Sequence, residues 1–182
     1  PEKISLTVVT QYPEIYQEVK EYSGVHAVFC EESRLGVSYT IKAGIRAVQE
    51  AYTPERKECC FAEEEISSET ETEKKKSWDY LMFTVADQPN LSEKSIEALI
   101  RAAVMQDRSA KQSSFSLCCG EQVGNPCMFR ADLIPELMQL EGDKGGRSVL
   151  KKHECCYVEI ENEEEFSDID TEEQIKKNST VS

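Results

Sequence analysis

Short apolar, β-branched runs alternate along this chain with segments whose apolar residues recur at helical spacing. That alternation constrains the fold more than any other feature. Residues 5–10 (SLTVVT), 25–30 (VHAVFC) and 80–86 (YLMFTVA) read as strands. The last is almost continuously apolar, as expected of a strand covered on both faces. Pro13 opens a helix running to about Tyr22. Val37, Ile41, Ile45, Val48 and Tyr52 form one helical stripe, and Ile96, Leu99, Ile100, Ala103 and Val104 form another behind a capping Ser92. Further strands are expected at 114–118, 127–130 and 155–160, and helices at 132–140 and 147–153. Strand-helix-strand repetition predicts an α/β protein with a doubly wound, mostly parallel sheet and helices on both faces. Ligands of such sheets sit beyond the carboxyl ends of the strands.

The 182 residues make one domain, able to bury roughly 70% of their unfolded surface without disulfides or metal. The net charge of −14 argues against nucleic-acid and anionic-membrane partners, which are held by Lys and Arg. No apolar run spans a bilayer and no basic-then-apolar leader precedes Pro1, so the expected location is cytoplasmic. Residues 53–77 hold eight glutamates and five bases with few apolar residues, the pattern of a flexible charged insertion. Of the eight cysteines, six form adjacent pairs and none forms C-x-x-C, so reduced structural thiols are expected.

Four segments carry candidate chemistry. Asp87, in Val85-Ala86-Asp87-Gln88-Pro89, follows the most apolar strand at the ligand end of the sheet. A carboxylate there suits Mg²⁺, which takes one or two protein oxygens and completes its octahedron with water and phosphate. It equally suits a turn-starting Asp. Asp168 and Asp170 precede a capping-box pattern, Thr171 with Gln174, where either could simply favour the positive helix end. Gly142-Asp143-Lys144-Gly145-Gly146-Arg147 can turn backbone N–H groups toward an anion. From Asp143 to Lys152 the charge is +3, from four bases and one acid. Gly124, Asn125 and Pro126 read as a turn returning the chain across the ligand edge.

Taken in order, residues 85–89, 124–129, 142–147 and 168–171 resemble the molybdenum cofactor cytidylyltransferase family, among the MobA-like nucleotidyltransferases. Residues 38–44 (SYTIKAG) resemble that family's serine-rich helix start. The resemblance implies Mg²⁺-dependent transfer of CMP from CTP to molybdopterin with release of pyrophosphate. It implies Asp87 and Asp170 as metal-holding catalytic residues and Ser38, Lys42 and Asp87 beside the nucleotide. Asn125, Lys144 and Arg147 would hold the pterin substrate, and a molybdenum hydroxylase apoprotein would be the partner served. The family's opening strand and glycine-rich loop have no counterpart here. The expectation is an amino-terminally shortened form whose first central strand is missing, leaving open edges on residues 5–10 and 80–86. Two alternatives stand beside this reading: a pterin-binding or delivery module, and the same chemistry with GTP or another nucleotide.

Overall fold

The structure, a computed structural model, describes residues 4–52, 78–106, 111–169 and 171. Its strands form two sheets. In the first, β1 (Leu6–Thr10) and β2 (Val25–Phe29) pair in parallel through α1 (Pro13–Val19), the right-sized crossover for adjacent parallel strands. The second has the order β3-β5-β4-β6, with β3 at Tyr80–Phe83, β4 at Ser114–Cys119, β5 at Gln122–Arg130 and β6 at Cys155–Glu159.

Helix α2 (Val37–Tyr52) lies against both sheets. A Cβ on its Gly44 would stand 3.3 Å from Val9 of β1, while Ile41 and Ile45 join Cys127 and Phe129 of β5 in the core. Leu81 and Phe83 of β3 pack on that same core, together with Leu137 of α4 (Ile134–Leu137) and Val149 of α5 (Arg147–Leu150). On the opposite face, Leu99 and Ala103 of α3 (Glu93–Met105) pack on Phe115, Leu117 and Met128. The Ser92 side chain caps α3 by accepting from the Ser95 N–H at 3.2 Å. The α/β class, with helices on both faces, is therefore as expected.

Three expectations need correction. The pairing is evenly mixed: β1–β2 and β4–β6 are parallel, whereas β5 runs antiparallel to both β3 and β4. The cause is a hairpin turn at Gly120 (φ +57°), which sends the chain directly back beside β4. The residues expected to turn, Gly124 to Pro126, instead lie inside β5. Pro126 is accommodated there because the β4–β5 register shifts between Ser116 and Cys118, an irregularity that tolerates a missing N–H donor. Finally, β3 stops at Phe83, and its residues are only half-buried. It is an edge strand, with β5 on one side only.

The open edges expected on β1 and β3 are both present among the described strands. The unit built from β1, α1 and β2 also contains no fully buried residue, and Ile4, Leu6, Tyr12, Ile15, Tyr22 and Phe29 are exposed. Among the described residues, no helix is long and apolar enough to cross a membrane. Residues 53–77 and the expected helix after Thr171 lie outside the described residues.

Candidate active site

Asp87 sits in the exposed loop that follows β3, where the chain has left the sheet and Pro89 offers no N–H. None of the described residues bonds its carboxylate. Its backbone, by contrast, is held: the Ile169 N–H donates to the Asp87 carbonyl at 2.8 Å. The neighbouring Gln88 Nε2 donates to Asp168 Oδ1 at 2.8 Å and to the Phe166 carbonyl at 3.4 Å. Glu165, a buried carboxylate, accepts the Ser92 N–H at 2.9 Å. The segment 165–169 is thereby strapped along the 87–92 loop. Asp170 follows next in sequence and lies outside the described residues.

The strap also reaches β5. Phe166 covers Gly124 so closely that a Cβ at that position would overlap its ring. The next residue, Asn125, precedes a cis peptide to Pro126, and its Oδ1 lies 3.7 Å from the Cys127 thiol. Cys127 is buried, and burial pushes its thiol pKa up, against smaller opposing effects of the Ser116 hydroxyl and the Arg147 charge. The Arg147 charge is thus felt at the Cys127 thiol. Both Lys144 and Arg147 are exposed.

The Gly142 loop is docked on the start of α2. The Ser38 N–H donates to the Gly142 carbonyl at 3.1 Å. Gly36 (φ +134°) allows this, since a Cβ there would overlap the Gly142 carbonyl group and stand 2.9 Å from the Asp143 nitrogen. At the other end of the loop, Gly146 abuts the Phe129 ring, where an added Cβ would stand 3.0 Å away. Ser38 is fully buried, and among the described residues its hydroxyl has no hydrogen-bond partner. Such an atom costs stability unless something donates to it or accepts from it.

Lys42 is placed differently. It lines a cavity of about 440 Å³ with Val28, Phe29, Cys30, Tyr39 and Arg46, on the α2 face toward β2. Its ammonium sits 5.8 Å from the Tyr39 ring centroid. None of the residues lining this recess belongs to the 87–92, 124–126 or 142–147 segments. The structure thus brings Asp87 to the 168–169 segment, and Ser38 to the Gly142 loop. It sets Lys42 apart from both.

All six described cysteines are free. Cys155 is pushed up to about 11, first by burial, and Cys118 likewise to about 11, by burial and then by the bonded Glu159 carboxylate. Neither is a thiolate at neutral pH. Among the described residues no group of three His, Cys, Asp or Glu could hold a metal ion. Sequence reading missed three residues that organise this region: Gln88, Glu165 and Gly36. Nothing in the sequence separates Glu165 from the acids beside it, and Gly36 is required only by a loop more than a hundred residues away.

A family model described as the MobA-like NTP transferase domain matches residues 4–156. No curated protein sequence matches significantly. Among solved structures, Rv0371c of Mycobacterium tuberculosis H37Rv superposes with a TM-score of 0.63 at 13% identity, covering 96% of this chain and 74% of that one. Its homolog from Mycobacterium sp. strain JC1 gives 0.59 at 14% identity, covering 96% and 72%. A complex of Rv0371C with manganese gives 0.60 at 14%, covering 94% and 74%. At such identities the structural likeness speaks for a shared fold.

Proposed function

The chain belongs to the MobA-like NTP transferase family, a nucleotidyltransferase family, and from that premise we propose that it transfers CMP from CTP to molybdopterin with release of pyrophosphate. The observation that carries this reading is the strap of residues 165–169 on the Asp87 loop. It draws the start of the 168–171 motif onto the 85–89 motif, about eighty residues away in sequence.

Asp87 and Asp170 would hold one divalent cation. The fit rests on the donor chemistry of Asp87, an exposed carboxylate that none of the described residues bonds. Mg²⁺ is bound in this way, through one or two carboxylates with water and substrate phosphate filling the rest. The manganese complex of the structurally similar Rv0371C accords with a divalent ion. When bound, such an ion would supply charge neutralisation at the phosphate being transferred.

The chain's own residues supply position. The acceptor is a phosphate, already anionic at neutral pH, so no strong general base is needed, and catalysis becomes alignment plus electrostatics. Lys144 and Arg147 would orient the acceptor phosphate, each as an exposed cation beside glycines packed on the start of α2 and on Phe129. Asn125 would donate its amide N–H₂ to the acceptor, while its Oδ1 faces Cys127. Ser38, with its unbonded hydroxyl, would lie on the nucleotide side. Lys42 is retained for the nucleotide only if the cavity beside Tyr39 takes part.

Pyrophosphate release from CTP, Mg²⁺ and molybdopterin tests the reading, with GTP and ATP as comparisons. Metal-dependent release with CTP that vanishes in Asp87→Asn is expected, with the fold intact by circular dichroism. Undiminished release in that variant would refute the role of Asp87. A second reading, a pterin-binding module that hands its ligand to a molybdenum hydroxylase, draws support from the open edges of β1 and β3. Pterin binding without any metal-dependent CTP binding would select it.

A further inference from the structure

The contacts around Gln88 carry one inference beyond this reading. The Asp87 carboxylate is bonded by none of the described residues, so its direction is set through its backbone. That backbone has one described tether outside its own loop, the bond from the Ile169 N–H. Ile169 is in turn held by what fixes its segment. Glu165 is anchored to the N–H of Ser92, the N-cap of α3, and Phe166 is wedged over Gly124. Between these anchors and Ile169, the side-chain bond is from Gln88 Nε2 to Asp168 Oδ1, a charge-assisted contact at 2.8 Å. The same nitrogen reaches the Phe166 carbonyl at 3.4 Å. The other end of the amide, Oε1, is buried and bonds none of the described residues. Gln88 is therefore engaged through its N–H₂ alone, and both of its acceptors belong to the strap.

We propose that Gln88 is a positioning residue: a latch that pins residues 165–169 to the loop and thereby fixes how the Asp87 carboxylate is presented. The proposal rests on Asp87 being a metal-binding residue, as read above. It assigns Gln88 no contact with substrate or ion. Its reach is through Asp168 and Ile169 to the Asp87 carbonyl. Reciprocity follows, because a cation that needs Asp87 in one direction must also favour the docked strap.

A polarity swap tests it. Gln88→Glu removes both donors and sets a carboxylate against Asp168. Adding Asp168→Asn returns an N–H₂ to the pair with donor and acceptor exchanged. Two readouts are followed in the full chain: hydrogen exchange at the Ile169 amide, and affinity for Mn²⁺ alone by electron paramagnetic resonance. Gln88→Glu should speed Ile169 exchange about 10-fold or more, as loss of a charge-assisted bond allows. It should weaken Mn²⁺ binding about 10- to 100-fold, the usual cost of removing a group behind a metal ligand. The double variant should restore most of both. Unchanged Ile169 exchange in Gln88→Glu would overturn the latch. Faster exchange with unaltered Mn²⁺ affinity would overturn the positioning role and leave only a structural strap. Failure to recover in the double variant, when thermal melting shows it folded, would also count against the pair. Gln88→Ala, which adds no charge, should move both readouts the same way by less. Should wild-type Mn²⁺ affinity be indifferent to Asp87→Asn, the metal reading fails, while Ile169 exchange still decides the latch.

Discussion

Replacing Gly36 by alanine probes the contact that joins the Ser38 turn to the Gly142 loop. Two costs add there. Gly36 has φ +134°, a backbone conformation that a residue with a Cβ enters at about 1–3 kcal/mol. The new Cβ would also overlap the Gly142 carbonyl group, and its neighbours are backbone atoms, unable to swing aside as a side chain could. Overpacking of this kind costs about 1–3 kcal/mol, and parting the loops instead would break the Ser38–Gly142 hydrogen bond, worth about 1 kcal/mol. The expected destabilisation is about 2–6 kcal/mol, or roughly 4–24 °C in Tm for a chain of this length. Gly24→Ala is the control, because Gly24 also has a positive φ (+84°) but nothing within 4 Å of an added Cβ. It should cost only the conformational part, about 1–2 kcal/mol. Urea unfolding at 25 °C, with the slope checked for two-state behaviour, measures both. If Gly36→Ala were no worse than Gly24→Ala, the loops would not be in the tight contact described.

Three further outcomes are expected. Arg147→Ala should raise KM for the pterin substrate more than for CTP in steady-state assays, and the reverse order would move the Gly142 loop to the nucleotide side. Gly124→Ala should loosen the strap by displacing Phe166, seen as faster hydrogen exchange at Ile169 with a destabilisation of about 1–3 kcal/mol; unchanged exchange would mean that Phe166 does not hold the strap. The Arg130 guanidinium, paired with Asp132 at 2.6 Å, holds that carboxyl below its ordinary range, so the pair stabilises the fold above the usual carboxylate pKa and ceases to do so as pH falls through the lowered one. With the Asp132 side chain 55% exposed, the effect is at most about 1 kcal/mol. Denaturation of Asp132→Asn should therefore differ from wild type at neutral pH and converge with it as pH falls through the lowered carboxyl pKa.

Local signals in the sequence led to the elements and to the motifs. The stripe through Ile41 and Ile45 is buried as its spacing requires, and Ser92 caps α3 with its own side chain. The parallel pairing of β1 with β2 was also legible, because a helix-length segment between two β-branched runs leaves room only for a crossover. What escaped was set by tertiary contacts. Gly124 and Pro126 carry strong turn propensity, yet pairing with β3 and β4 holds them in a strand. Tyr80–Ala86 is apolar enough for a central strand, but with one neighbour it ends at Phe83 and leaves Val85 exposed. Gln88, flanked by the more conspicuous Asp87 and Pro89, acquires its role only when Asp168 arrives from eighty residues away. Lys42 shares a helix with Ser38, but the two lie in different surroundings: Ser38 is buried against the Gly142 loop, and Lys42 stands in the cavity toward β2.

The proposed site has Asp87 and Asp170 gripping one divalent cation. Mn²⁺ affinity in the wild type, Asp87→Asn, Asp170→Asn and the double variant tests it most directly. Two ligands of one ion should give strongly non-additive losses, with each single change removing most of the binding and the double removing little more. Independent, additive losses, or a single variant that binds as the wild type does, would contradict a shared site.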